Sequence, residues 1–254
     1  KGVAGFHEAA RVNLVEASAT LRQVQARTVN RPGVQWRDSA ADLPDLPLFV
    51  VANEFFDALP VRQLQREGER WRERLVGLEG DDLRIGLSDP KAMAPLEHRL
   101  EDTRDGDIVE ISPVGESIAE EIGGRIATHG GAALIVDYGD WRSLGDTWQA
   151  VKGHEATDPL AEPGLADLTA HVDFEALARA TPSRYSRLTP QGVFLERLGI
   201  TARAQALAGG LEGDRLETHI AAHRRLTHPH EMGTLFKVMA FTPDGAAPLP
   251  GLDT

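Results

Sequence analysis

Two short apolar runs, each ending on a carboxylate, constrain this chain more than any other feature. Leu48-Phe-Val-Val-Ala52 runs into Asn53-Glu54-Phe55-Phe56-Asp57, and Ala132-Ala-Leu-Ile-Val136 runs into Asp137-Tyr138-Gly139. Unbroken apolar runs of this length are strands buried on both faces, the kind that parallel sheets contain. An earlier strand within 12–15 ends on Glu16, and Ser18 then caps a helix in which Leu21, Val24, Gln25 and Thr28 keep helical spacing. Another, at 34–36, ends on Asp38. Ser112-Pro113 opens a helix to about His129, and Gly130-Gly131 closes it before the second apolar run. Strands alternating with helices predict an α/β, doubly wound and mainly parallel sheet, whose ligand crevice lies at the carboxyl ends of the strands.

Two segments interrupt this rhythm. Residues 61–89 shift toward a period of two, with turn signals at Glu67-Gly68 and Glu79-Gly80-Asp81, and read as a β-hairpin insertion. Residues 140–173 are rich in Gly, Pro, Asp and His and lack sustained periodicity, so a long loop is expected there; loops of that length are functional or disordered, and its two Trp residues favour function. Further on, a helix is expected at 174–180, a strand at 185–189, an amphipathic helix at 193–208 and a last strand at 233–241. No internal repeat divides the chain, and a single domain over 1–254 is expected.

Composition removes several functions. A net charge of −12 disfavours nucleic acid as a partner, because tracking phosphates requires clustered Lys and Arg. Without cysteine there is no disulfide, thiolate nucleophile or thiolate metal site, which allows a reducing compartment. The longest apolar runs fall far short of the roughly 18 residues of a membrane span. The first ten residues have neither the order of a signal peptide nor a helix cap, and read as the interior of a longer chain.

Several residues stand where chemistry is done. Glu16 ends a strand where nucleotide-binding α/β folds place an acid on a ribose, although an acid there also caps helices. Asp38 has the same two readings, with the adenine amino group as the ligand. Asn53, Glu54 and Asp57 gather an amide and two carboxylates at the end of an apolar strand, facing the crevice or capping the next helix. Asp167, His171 and Asp173 share one face of an extended segment by alternation. The spacing of His154, His171 and the acids matches no standard ligand pattern, so no metal is expected. Gly-x-Ser-x-Gly and Walker motifs are absent. Neither tyrosine has a lysine four residues on, which counts against a nicotinamide-dependent oxidoreductase.

Taken together, Leu14 to Gln25, Asn53 to Val61, Asp137-Tyr-Gly139, Gly145 to His154, Asp158-Pro-Leu160, Ala166 to Phe174 and Met232 to Val238 resemble the MidA family of protein arginine methyltransferases. That family includes the mitochondrial methyltransferase acting in assembly of respiratory complex I. The resemblance implies a class I, Rossmann-like methyltransferase with a seven-stranded sheet, its first strand and glycine-rich loop lying upstream of residue 1. It implies S-adenosylmethionine as cofactor and, as partner, a protein substrate with an exposed arginine, such as a respiratory complex I subunit. On this resemblance and fold position Glu16 holds the ribose, Asp38 the adenine, and Asn53 sits near the methionyl end. Glu54 and Asp57 polarise the guanidinium, Asp173 and Glu110 stand behind them, and His171 accepts the proton. A bacterial cytoplasmic or mitochondrial matrix location is expected, and a homodimer is an open assembly state. A catalytically idle assembly or chaperone factor on the same fold is the competing expectation.

Overall fold

A computed structural model describes residues 3–253, which form two compact units, one up to Pro47 and one from Leu48 onward. The first holds a helical turn α1 (Phe6–Ala9), strand β1 (Asn13–Val15), helix α2 (Ala19–Thr28) and strand β2 (Gln35–Arg37). The strands pair in parallel, with Leu14 opposite Trp36, so α2 is the crossover that parallel pairing requires. The Ser18 hydroxyl accepts the Leu21 amide at 3.2 Å and starts α2.

The second unit begins with β3 (Leu48–Asn53), followed by β4 (Arg62–Glu67), β5 (Arg70–Glu79), β6 (Asp82–Leu87) and β7 (Ile108–Ile111). The last four form an antiparallel sheet in the order β6-β5-β4-β7. The stretch expected as one hairpin is therefore a three-stranded meander. Gly68 and Gly80, both left-handed, each start a two-residue turn, and left-handed backbone is what such tight hairpin turns demand. Leu64, Trp71, Leu96 and Val109 pack into its core.

Helix α3 (Pro113–His129), capped by the Ser112 hydroxyl, leads into β8 (Gly131–Asp140). Three short strands follow, β9 (Gln149–Lys152), β10 (Glu155–Thr157) and β11 (Asp167–Thr169), forming an antiparallel sheet β10-β9-β11 inside the segment expected to be a loop. Strands of three or four residues are too short for period two to stand out. Then come β12 (Val172–Asp173), α4 (Phe174–Ala180), β13 (Arg184–Tyr185), β14 (Thr189–Pro190), α5 (Gln191–Arg197), α6 (Ile200–Ala208), α7 (Gly213–Thr227), α8 (Met232–Leu235) and β15 (Phe236–Thr242). The helix expected at 193–208 is broken at Gly199 into α5 and α6.

Among the described residues the main sheet has six strands centred on β8, and its parallel pairs are β3–β8 and β8–β12. The longest strand beside β8 is β15, and it runs antiparallel; β13 and β14 pair antiparallel with β15 and so run in the direction of β8, which makes β15 the reversed strand of a sheet whose other described strands run one way. Its direction follows from its approach: α8 delivers Phe236 beside Tyr138, near the carboxyl end of β8, and the chain can only run back. In β8, Ala133, Ile135 and Asp137 alternate with Leu134, Val136 and Tyr138. Helix α3 packs on the sheet with Ala119 and Ile126 fully buried. Val136, Phe194, Phe236, Val238, Ala240 and Leu252 form a separate buried cluster. Burial on both faces is why β8 reads as a continuous apolar run. Among the described residues no helix is long and apolar enough to cross a membrane.

Candidate active site

The parallel strands β3 and β8 stay in register as far as Asn53 opposite Val136. Beyond that point β3 gives way to a turn at residues 54–57, and β12 takes up pairing with β8 from Gly139. The Glu54 amide donates to the Val136 carbonyl at 3.0 Å. Glu54 itself is left-handed, with φ +48°, a conformation a non-glycine residue adopts only when its surroundings hold it there. Those surroundings are one carboxylate oxygen. Asp137 Oδ2 accepts the amides of Phe55 at 3.2 Å, Phe56 at 3.0 Å and Asp57 at 3.4 Å, while Oδ1 accepts the amide of Tyr138 at 3.1 Å.

Asp137 is fully buried. Burial, reinforced by the nearby Asp57 carboxylate, pushes its carboxyl up to about 7 against the pull of the three amides. Asp57 is itself only 5% exposed, and its Oδ1 has no hydrogen-bond partner. Its backbone carbonyl accepts the Ala170 amide at 3.0 Å, tying the turn to the segment before β12. The Tyr138 phenol is raised by burial and by its bond to Asp57. Asn53 and Glu54 remain exposed, with the Asn53 amide 3.4 Å from Glu54 Oε1.

Below the turn lies a second polar cluster. The His171 ring meets Tyr138 edge-on at 5.4 Å between centroids, and burial lowers its pKa despite the opposing pull of Glu110, so it is neutral at pH 7. Glu110, 3% exposed, accepts from Gln63 Nε2 at 2.7 Å, from the Thr147 amide at 3.1 Å and from the Thr147 hydroxyl. The same hydroxyl accepts the His171 amide at 2.8 Å. Asp173 caps α4, accepting Ala176 N–H at 2.9 Å and Ser143 N–H at 3.0 Å, with the Arg99 guanidinium at 3.6 Å. Burial raises its pKa, and these donors oppose the rise.

In the first unit, Glu16 follows β1 with both oxygens engaged, Oε1 by the Ser18 amide at 2.9 Å and Oε2 by the Gln25 side chain at 3.0 Å. Each carboxylate oxygen accepts two bonds, so the group is fixed in place with capacity for two more donors, which fits a vicinal diol. Asp38 is exposed and pairs with Arg22 at 2.5 Å.

Residues 2–193 match the model of a family described as putative S-adenosyl-L-methionine-dependent methyltransferases. The chain belongs to this methyltransferase family. Among its curated relatives are the proteins named protein arginine methyltransferase NDUFAF7, mitochondrial. The zebrafish Danio rerio form is 35% identical over 93% of this chain and 62% of its own length. The Homo sapiens form is 34% identical over 91% and 58%. The chain thus spans about three fifths of the curated relatives it matches. A crystal structure of a superfamily member from Burkholderia thailandensis, bound to S-adenosylhomocysteine, superposes with TM-score 0.79 at 27% identity, covering 98% of this chain and 68% of that one.

Within this family member, the residues singled out from sequence fall into three places. Glu16 and Asp38 lie at the strand ends of the first unit. Asn53 and Glu54 are exposed on the turn after β3, whereas Asp57 is buried beneath it; His171 lies half-buried against Tyr138, and Asp173 is occupied as a helix cap. Sequence reasoning missed the part played by Asp137. A signal was available, since the turn leaves three consecutive amides needing an acceptor and the apolar run of β8 is interrupted by an acid at 137.

Proposed function

We propose that this chain is the body of an S-adenosylmethionine-dependent methyltransferase that modifies arginine in a protein substrate. Family membership and the arginine methyltransferase relatives support the reaction class. For the acceptor side, the observation that carries the reading is Glu54, held left-handed and exposed beside Asn53 where β3 ends. In this reading a first strand and glycine-rich loop preceding residue 1 would complete a seven-stranded sheet.

S-adenosylmethionine, when bound, supplies an electrophilic methyl group on a sulfonium. Glu16 would hold the ribose hydroxyls, Asp38 the adenine amino group, and Asn53 the methionyl end. A guanidinium, protonated below pH 12, is a poor nucleophile because its lone pair is shared by three nitrogens. Glu54 accepts hydrogen bonds from two of those nitrogens, concentrating positive charge there and leaving electron density on the third. Asp57 supports the turn from below, and His171, neutral through burial, takes the released proton. A net charge of −12 suits a basic protein substrate. The mitochondrial names of the relatives agree with a matrix location, and bacterial cytoplasm suits the absence of cysteine equally.

Calorimetric titration of S-adenosylmethionine and S-adenosylhomocysteine into the full-length protein tests this directly. Binding that Glu16→Ala weakens by about tenfold or more is expected, the value of one charge-assisted hydrogen bond. Methylarginine in target proteins should then be sought by mass spectrometry. Absence of heat from both ligands would overturn the enzymatic reading and favour the assembly-factor alternative.

A further inference from the structure

The turn after β3 has three consecutive amides, those of Phe55, Phe56 and Asp57, that converge on one point. Such a concave run of N–H groups is an anion nest. Its anion comes from the protein itself, at a sequence distance of about eighty residues, as Asp137 Oδ2, three residues before β8 ends. With Oδ1 engaged by the Tyr138 amide and the residue fully buried, Asp137 touches nothing outside the fold. Its influence must pass through the backbone it holds. The residue just ahead of the nest is Glu54, whose left-handed backbone is strained for a side chain with a Cβ.

We propose that Asp137 is a positioning residue, a buried clamp that fixes the turn at 54–57 in the one conformation presenting Glu54 to the acceptor, with Asn53 at its leading edge. The inference rests on the reading of this turn as the acceptor side of the methyltransferase. An ionised carboxylate accepts all four amides, whereas a protonated one loses acceptor strength at the oxygen that carries the proton. The three amides favour the ionised form, while burial and Asp57 set its titration at about 7, so local release of the turn, with Asp137 still buried, becomes easier as pH falls through that value. The titratable groups on the elements around it are Glu54 and Asp57 on the turn, Tyr138 and Asp140 on β8, Glu116, Glu120, Glu121, Arg125 and His129 on α3, and Asp173 on β12, and of these Asp57 is the one whose charge raises the Asp137 carboxyl. On β15 its register partner is Lys237, whose ammonium is bound to the carbonyls of Gly139 and Thr234.

Hydrogen exchange followed by mass spectrometry on the full-length protein reads the clamp. In Asp137→Ala the peptide covering 55–57 should exchange about tenfold faster or more, while the β8–β15 core amides keep their protection. Asp137→Asn, which retains an acceptor oxygen, should restore part of that protection. In the unmodified protein, protection of the same amides, corrected for intrinsic exchange, should fall as pH drops through about 7, and this dependence should vanish in Asp137→Asn. Affinity for S-adenosylhomocysteine, to which Asn53 contributes from the edge of the same turn, should weaken modestly in Asp137→Ala and less in Asp137→Asn, and methyl incorporation into an arginine-peptide array should fall with the loss of protection. Flat protection across pH in the unmodified protein would overturn the clamp without recourse to any variant, as would unchanged protection in Asp137→Ala. If Asp137→Ala loosens the turn but Glu54→Gln leaves methyl incorporation intact, the clamp stands and the acceptor assignment falls.

Discussion

Replacing Asp173 by alanine separates a catalytic carboxylate from a structural one. The side chain makes two amide bonds and one ion pair, and each loss has a separate magnitude. Loss of the cap on α4 costs about 1 kcal/mol. Ser143 is 3% exposed, and leaving its amide without an acceptor costs about 1–2 kcal/mol. Arg99, 2% exposed, keeps Asp102 and the Ser143 carbonyl but loses the 3.6 Å contact, for about 0.5–1 kcal/mol. The sum is about 3 kcal/mol, roughly a hundredfold in the folded-to-unfolded ratio and a drop in midpoint temperature of roughly 6–12 °C for a unit of this size. Urea denaturation supplies the free energy. Asp173→Asn, with its one carbonyl oxygen on the Ala176 amide, should keep the cap but turn an NH2 donor toward the Ser143 amide and Arg99, so it should recover only the cap's share of the loss and retain methyl transfer measured well below its midpoint. A stability change under about 1 kcal/mol in Asp173→Ala, together with activity abolished in both folded variants, would refute the structural assignment.

Other outcomes follow from the same geometry. The Asp137 carboxyl lies at about 7 in the folded protein against an ordinary 3.8, so it favours the folded state at low pH. That contribution, about 4 kcal/mol, is fully present below 3.8 and is lost as pH rises through about 7; urea midpoints should show this slope in the unmodified protein and not in Asp137→Asn. Gly131→Ala places a Cβ 2.1 Å from the Leu48 carbonyl oxygen, a backbone atom in the paired strand that cannot step aside, and should cost about 3 kcal/mol or more by thermal melt.

The α/β character of the chain was legible because it is written locally. The apolar runs at 48–52 and 132–136, the Ser18 and Ser112 caps and the glycines at 68 and 80 act within a few residues of themselves, and the corresponding strands, helices and turns are present. The short strands of residues 149–169 were not legible, because each holds too few residues to show a period and is stabilised only by its neighbours. The direction of β15 likewise depends on where α8 delivers the chain.

The same division runs through the candidate site. Residue types and their position at strand ends singled out Glu16, Asp38 and the Asn53 to Asp57 cluster, since polar groups closing an apolar strand stand where a sheet opens to its ligands. Which of two acids three residues apart meets that crevice is another matter. Glu54 is turned outward and Asp57 inward because Asp137, about eighty residues away, draws three amides onto one oxygen. Local pattern can name a carboxylate, but its exposure and its proton affinity are set by what the folded chain packs around it, and no short stretch of sequence contains those neighbours.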